Sequence, residues 1–177
     1  MKLKKFNFIK VKSTNNTAIR LIKKGNDYGI VSSESQSDGK GQRGNKWISK
    51  KGNLFISIFF QINSKLSLKK ITTDNLSILK KIISSQITGK IHIKLPNDIL
   101  IYKKKVSGIL QEIMYKNNKK YLIVGIGVNI ISSPNIINYP TTYLNKYRKK
   151  KINKIKMINK IKINFENKYK SKINKCT

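Results

Sequence analysis

The stretch VSGILQEIMYKNNKKYLIVGIGVNI, residues 106–130, decides the class of the fold. Apolar residues dominate its two ends, from Val106 to Tyr115 and from Tyr121 to Ile130, and the polar segment Lys116 to Lys120 between them is typical of a turn. Two such runs joined by a short polar segment predict an antiparallel β-hairpin. The regular alternation of strands and helices that marks a parallel sheet is therefore missing here.

The residues before this hairpin predict further strands and two helices. Alternating or continuous apolar residues predict strands at 6–11, 28–34, 53–62, 91–95 and 99–102, and apolar residues at helical spacing predict helices at 15–24 and 68–87. Ser13 or Thr14 is the expected N-cap of the first helix, and Gly25 and Gly89 are the expected stops. The predicted fold is α+β, a mixed and largely antiparallel sheet with helices packed on one side.

The chain changes in composition after Thr142, where lysine, asparagine and isoleucine become abundant. Apolar residues from Leu144 to Tyr169 recur at roughly helical intervals, which predicts one helix followed by a frayed tail. A chain of 177 residues is long enough for one domain with a real core. We therefore expect a principal domain over 1–145 and a lysine-rich helix and tail over 146–177.

The charge of the chain is extreme. Its 39 Lys and Arg residues against 7 Asp and Glu residues give a formal net charge of +32 and a pI near 10.3. Such a charge makes a non-enzymatic nucleic-acid-binding protein an alternative. The basic residues are nearly all lysine and are spread along the chain, with arginine only at positions 20, 43 and 148. This distribution favours a solvated surface with no specific nucleic-acid partner.

The sequence disfavours a disulfide framework, a Cys/His metal site and a membrane span, because the residues that these features need are rare or missing. Cys176 is the only cysteine and His92 the only histidine, so a disulfide framework or a Cys/His metal site is not expected. No run approaches the ~18 apolar residues of a membrane span, and residues 1–12 mix charged with apolar residues. We expect a cytoplasmic protein that does not bind membranes.

A glycine-rich string, Gly39 to Gly44, matches the pattern G-x-G-x-x-G, whose glycines let the backbone approach a phosphate. A dinucleotide-binding fold also needs a helix directly after the string and an acidic residue ~20 positions later. Here a strand follows, and the next acidic residue is Asp74. The spacing alone is equally compatible with a flexible surface loop.

The glycine-rich string lies within the second of six motifs that follow one another along the chain. They are Ser13-Thr14-Asn15, Gln36 to Trp47, Lys94-Leu95-Pro96-Asn97-Asp98, Lys105 to Leu110, Gly125 to Asn129, and Tyr139 to Leu144. Together they resemble the biotin protein ligase family over most of the chain, including its biotin loop and its K-W-P-N-D, K-x-x-G-I-L and G-x-G-x-N motifs. The resemblance implies a class II synthetase-like biotin/lipoate ligase fold and identifies residues 1–145 as the catalytic domain.

The reaction that the resemblance implies has two steps. The biotin carboxylate attacks the α-phosphate of ATP, giving biotinyl-5'-AMP and pyrophosphate, and a lysine of the biotin carboxyl carrier protein of acetyl-CoA carboxylase then attacks the adenylate. ATP and Mg²⁺ are the implied cofactors, with biotin as the substrate. We expect a monomer or a weak homodimer. Lipoate or octanoate transfer, which uses a related fold, is the nearest alternative, and the intact biotin loop disfavours it.

The resemblance assigns catalytic roles to four charged residues. Lys105 would hold the biotin carboxylate and the α-phosphate together, and Lys40 and Arg43 would neutralise charge on the phosphates. Lys105 is distinguished from Lys103 and Lys104 only by its position three residues before Gly108. Asp98 is the candidate to organise Mg²⁺.

The remaining assignments concern binding. The biotin contacts implied by the resemblance are Ser13, Thr14, Asn15, Gln36, Gly39, Lys40, Gly41, Gln42, Lys105 and Gly108. The implied nucleotide contacts are Arg43, Trp47, Asn97 and Asn129. Short polar groups suit the donors and acceptors of a ureido ring. Ser13 and Thr14 are compatible with helix capping as well, and Asn97 and Asn129 with a simple role in turns.

The sequence departs from the family pattern at several places. Lys40 and Gln42 stand where the family has arginines, and Leu95 replaces the tryptophan of K-W-P-N-D. These replacements weaken the expected grip on phosphate. No DNA-binding domain is expected before Met1, and we expect the C-terminal β domain typical of the family to be absent.

Overall fold

The computed structural model describes residues 2–62 and 67–173. Its strands are β1 (Lys4–Val11), β2 (Tyr28–Gln36), β3 (Leu54–Ile62), β4 (Ile91–Lys94), β5 (Asp98–Ile101), β6 (Lys104–Lys116) and β7 (Lys119–Val128). They form one seven-stranded sheet in the order β1-β2-β3-β7-β6-β5-β4. Only the pair β1 and β2 is parallel. The predicted α+β class with a mixed, largely antiparallel sheet is confirmed.

The hairpin of β6 and β7 lies inside the sheet and runs in continuous register from Ser107 opposite Val128 to Lys116 opposite Lys119. Its turn consists of Asn117 and Asn118, which have φ angles of 46° and 59°. Asparagine tolerates this left-handed conformation better than most residues, and two such residues make the turn whose twist matches a hairpin. The turn is therefore tighter than the five-residue segment that the sequence predicts.

Three α-helices lie in the described part of the chain: α1 (Thr14–Lys23), α2 (Leu68–Ser84) and α3 (Lys154–Ile173). None of them is long and apolar enough to cross a membrane. The main core lies on one face of the sheet, called the core face here, where alternate residues of β3 and β7 such as Ile58 and Val124 pack with α2 and α3.

Helix α1 lies on the opposite face, called the α1 face here. Ala18 and Ile22 of α1 pack there against a second cluster that includes Phe59 and Ile123. The expectation that all helices pack on one side is therefore wrong for α1. Two parallel neighbouring strands need a crossover connection, and α1 is that crossover between β1 and β2.

Helix α3 begins at Lys154, ten residues later than the start of the predicted apolar pattern at Leu144, where the chain forms a short 3-10 turn instead. Its residues Met157, Ile161, Phe165 and Tyr169 are spaced by four and belong to the main core. The ring of Tyr169 lies 4.8 Å from that of Phe60, centroid to centroid. The core thus extends past residue 145. The last residues of the predicted tail, 174–177, lie outside the described residues.

Candidate active site

A polar cavity near the predicted motifs lies on the α1 face, where small residues replace bulky ones along β7. Tyr121 and Ile123 fill the space under α1, but Gly125 and Gly127 follow them on the same face. A Cβ atom at Gly125 would lie 2.4 Å from Asn15 Oδ1, and one at Gly127 would lie 2.4 Å from Trp47 Cε2. The two glycines therefore let other side chains lie directly on the sheet, beside a cavity of about 290 Å³.

The structure brings nearly all of the predicted site residues together. Those that line this first cavity are Ser13, Thr14, Asn15, Gln36, Lys40, Gly41, Gln42, Arg43, Trp47, Asn97, Asp98, Lys105 and Gly108. Gly39 lies beside it, packed against the carbonyl of Trp47. Asn129 lines a second, smaller cavity of about 20 Å³, which shares Lys46, Trp47, Lys105 and Tyr139 with the first.

The start of α1 is held by the side chain of Gln36 at the end of β2. Gln36 Oε1 accepts hydrogen bonds from Thr14 N at 2.8 Å and Thr14 Oγ1 at 3.1 Å, while Gln36 Nε2 lies 3.0 Å from Ser49 Oγ as donor. Ser13 occupies the N-cap position, as the sequence predicts, but its hydroxyl makes no capping hydrogen bond. The amide of Gln36 satisfies the first free N–H of the helix instead.

A second part of the same network surrounds Asn15, which is 3% exposed. Ser57 Oγ lies 2.5 Å from Asn15 Oδ1 and 2.8 Å from Thr14 Oγ1, and Asn15 Nδ2 donates to Glu112 Oε2 at 2.6 Å. A serine hydroxyl carries one proton and can donate to one of these two oxygens at a time. The network fixes the Asn15 amide with its oxygen toward β3 and its nitrogen toward β6.

Lys105 is directed to the cavity by a bulge between β5 and β6. Ile99 pairs with Ser107 but Leu100 pairs with Lys105, so Val106 is an extra residue on β6. In a regular strand, Lys105 and Gly108 would face opposite sides of the sheet, because they are three positions apart. The extra residue brings both to the cavity. Val106 packs into the main core.

The ammonium group of Lys105 has three neighbours. Its Nζ lies 2.9 Å from Asp98 Oδ1, with both side chains less than a fifth exposed. The same atom lies 5.6 Å from the ring centroid of Trp47 and 5.2 Å from that of Tyr139. Aromatic faces attract a cation within about 6 Å. The positive charge is thus held in place at the boundary between the two cavities.

Residues 39–47 form a small closed loop at the mouth of the first cavity. Trp47 N donates to Gly39 O at 2.8 Å, Gly41 N donates to Asn45 O at 2.7 Å, and Lys40 and Lys46 face each other across an antiparallel bridge. A short 3-10 turn, Gln42–Gly44, forms the tip. The loop therefore carries three cationic side chains on a backbone that is closed by its own hydrogen bonds.

Three buried polar atoms at the cavities have no hydrogen-bond partner among the described residues. They are Trp47 Nε1, Asn129 Oδ1 and Asp98 Oδ1, and only the last has an ion-pair partner, the Lys105 ammonium. Asn129 is 2% exposed, and its Nδ2 donates to Thr142 O at 3.1 Å. A buried polar atom of this kind carries a desolvation cost of about 1–3 kcal/mol unless something binds to it. The oxygen of Asn129 is therefore available for a ligand with an N–H or O–H donor.

Asp98, the predicted Mg²⁺ ligand, has no second carboxylate beside it in the described cavities. Asp98 is the only carboxylate that lines either cavity, and residues 2–62 and 67–173 contain no cluster of three His, Cys, Asp or Glu side chains. A single carboxylate fits Mg²⁺ that arrives with phosphate groups, because this ion is usually bound through one or two carboxylates and substrate oxygens. It does not fit a metal held by protein groups alone.

Sequence reasoning missed several residues of the site. These residues are Lys46, Ser49, Ser57, Glu112 and Tyr139. Ser57 and Glu112 lie within apolar strand segments on the α1 face, and a polar residue at an inward position of a buried strand is a signal that would have found both. Lys46 and Tyr139 lie within two of the recognised motifs, but the resemblance assigned neither of them a role at the site.

Comparisons with known proteins match most of the chain to one family. The sequence model of the biotin/lipoate A/B protein ligase family matches residues 6–129. The bifunctional ligase/repressor BirA of Bacillus subtilis is 30% identical over 172 residues, which cover 89% of this chain and 51% of that protein. BirA of Escherichia coli is 30% identical over 104 residues, 55% of this chain and 31% of that protein. The chain thus spans about half, or less, of the length of these curated relatives.

A solved structure extends the likeness to the whole fold. The biotin protein ligase from Aquifex aeolicus in complex with biotin and ATP superimposes with a TM-score of 0.78 at 27% sequence identity. The match covers 97% of this chain and 72% of that one. The two folds are therefore alike over nearly the whole of this chain.

Proposed function

Because the chain belongs to the biotin/lipoate A/B protein ligase family, we propose that it joins biotin to a lysine of the biotin carboxyl carrier protein of acetyl-CoA carboxylase, using ATP and biotinyl-5'-AMP. The observation that carries the proposal is the arrangement of the two cavities. They meet at Lys105, and each has polar groups of a different kind. A cation between two neighbouring binding sites helps to bring two anionic reactants together in the right orientation.

The first cavity takes biotin, with the ureido ring at the end formed by Ser13, Thr14 and Asn15. The Ser13 hydroxyl makes no hydrogen bond to another described residue, so its proton and lone pairs are available to the ring. Gln36 acts mainly by fixing Thr14, because both ends of its amide already have partners. The glycines of β6 and β7 let Asn15 and Trp47 lie directly on the sheet, which leaves room beside them for the ligand.

The base of ATP binds at the second cavity, which at about 20 Å³ has to widen to admit it. Asn129 Oδ1 has no partner, and its orientation is fixed because the amide nitrogen is bonded to Thr142 O. A fixed acceptor matches the exocyclic amino group of adenine. Trp47 and Tyr139 supply aromatic surface beside it. Lys40 and Arg43 both line the first cavity, which supports a role for their charges in contacting the phosphates.

In the first step, an oxygen of the biotin carboxylate forms a bond to the α-phosphorus of ATP, and the bond from that phosphorus to the bridging oxygen breaks to release pyrophosphate. Lys105 holds both anionic groups, and its own orientation is held by Asp98, Trp47 and Tyr139. Asp98 is the residue that would hold Mg²⁺ arriving with the nucleotide, and the ion would supply further positive charge. In the second step, the acceptor amine attacks the acyl carbon, and AMP leaves.

The proposal is tested by biotin-dependent exchange of labelled pyrophosphate into ATP with the purified chain. We expect exchange with biotin and none with lipoate or octanoate. Exchange with lipoate alone would replace the proposal by the related transfer activity. No exchange with any of the three acids, together with nucleic-acid binding that weakens as salt rises, would favour the nucleic-acid-binding alternative.

A further inference from the structure

The boundary between the two cavities carries a second cation besides Lys105. Four residues line both cavities: Lys46, Trp47, Lys105 and Tyr139. The charge of Lys105 is already matched by Asp98 at 2.9 Å. Lys46 is exposed, and its ammonium makes no ion pair or hydrogen bond within the described residues. Lys40 and Arg43 line only the first cavity.

The backbone of the loop places Lys46 against a like charge. Lys40 and Lys46 are partners in the antiparallel bridge at the base of the loop 39–47. Like charges directly opposite each other on neighbouring strands destabilise the pairing. Described residues offer no carboxylate to this pair, because none of their ion pairs includes Lys40 or Lys46. An anion bound between the two side chains would remove the repulsion and favour the closed loop.

We propose that Lys46 is a further phosphate-binding residue, which contacts the phosphates of ATP and of the adenylate and supplies the positive charge that Gln42 lacks. The inference rests on the proposed function for the identity of the anion. Gln42 carries an uncharged amide at the tip of the same loop. A hydrogen bond to phosphate is about twice as strong from a charged donor as from a neutral one. Lys46 provides such a donor at the boundary where the phosphates must lie.

The experiment measures binding of α,β-methylene-ATP, which cannot release pyrophosphate, to the full chain with saturating biotin. Lys46→Gln should raise the Kd about tenfold, and Lys46→Arg should keep it within about twofold of the wild type. Lys50→Gln is the matched control, since Lys50 is exposed, donates to Ser133 O at 3.2 Å and lines neither cavity. It should leave the Kd unchanged. Biotin binding without nucleotide should be the same for all variants, which reports that each is folded.

A double variant separates a direct contact from a structural effect. Gln42→Arg added to Lys46→Gln should restore most of the lost affinity, because it returns a cation to the tip of the loop. Equal Kd values for the wild type and Lys46→Gln would overturn the inference. If binding of the analogue depends on Lys46 but the chain shows no biotin-dependent exchange, the inference about Lys46 stands and only the proposed reaction is overturned. A wild-type chain that does not bind the analogue would overturn both.

Discussion

Lys105 shows how one lysine is selected from three neighbours in sequence. Lys103 has a φ of 65° in the turn before β6, and Lys104 is exposed at the start of that strand. Lys105 is the first whose side chain reaches the cavity, through the bulge at Val106. The selection depends on backbone geometry, because the three side chains are chemically identical.

We expect Lys105→Ala to abolish formation of biotinyl-AMP, since two anionic reactants approach each other closely only with a cation between them. The loss should be at least a hundredfold in the rate of pyrophosphate exchange, on the order of the 2.7–4 kcal/mol typical for removing an electrostatic group at a reaction centre. Lys103→Ala and Lys104→Ala are the matched controls and should exchange at the wild-type rate. If Lys105→Ala exchanges at the normal rate and either control is defective, the wrong lysine of the three has been assigned to the site.

The residues of the site divide into those that motifs can reveal and those that only the folded chain reveals. Lys105, Asp98 and Asn129 stand at fixed offsets in recognisable strings, so the sequence was sufficient to place them at the site. The partners of Asn15 were not predictable in this way. Glu112 is 97 positions away from Asn15 in sequence, and their contact exists only because β6 lies under the start of α1. The Gln36 amide was expected to face the ligand, yet it bonds mainly to the protein.

At the scale of elements, strands were predictable because alternation of apolar residues reports burial directly. The side of the sheet that a helix covers was not, because both faces of β3 and β7 are apolar and the sequence does not say which helix covers which face. The start of α3 was also missed. Asn153 Oδ1 accepts from Lys156 N at 2.9 Å, so an asparagine N-cap within the lysine-rich segment was the signal for it.

The loop 39–47 is the element for which we expect the largest response to ligand. It is rich in glycine and polar residues, and its base carries the opposed Lys40 and Lys46. We expect proteolytic cleavage within residues 36–46 to slow at least severalfold in saturating biotin, and further with an ATP analogue, because bound anions favour the closed form. Cleavage after lysines in α3 serves as the internal control. Identical cleavage of the loop with and without both ligands would contradict closure.

At the scale of the whole molecule, the net charge of +32 is far larger than any one site requires. Most of the cations are exposed, and the five ion pairs found among the described residues neutralise few of them. Charge of this kind affects the rate at which partners meet more than the fold. That is why the charge predicted neither the topology nor the position of the cavity.

We expect transfer of biotin to an acidic carrier domain to slow as ionic strength rises, since attraction between exposed charges is screened over about 8–10 Å at moderate salt. Raising salt from about 0.05 to 0.3 M should lower the second-order rate of transfer by roughly an order of magnitude, while pyrophosphate exchange changes much less. The ratio of the two rates is the quantity to measure. A ratio that does not change with salt would show that the surface charge has no role in capture of the carrier.

The floor of the first cavity, made by Gly108, Gly125 and Gly127, sets an upper limit on ligand size. Each of these positions has no side chain, so substitution there can only add atoms, and the nearest atoms of Asn15 and Trp47 leave no room for them. Mutation can therefore narrow the compartment from below but cannot deepen it. A variant that accepts a bulkier acid must obtain the extra volume from the walls, for example at Leu110.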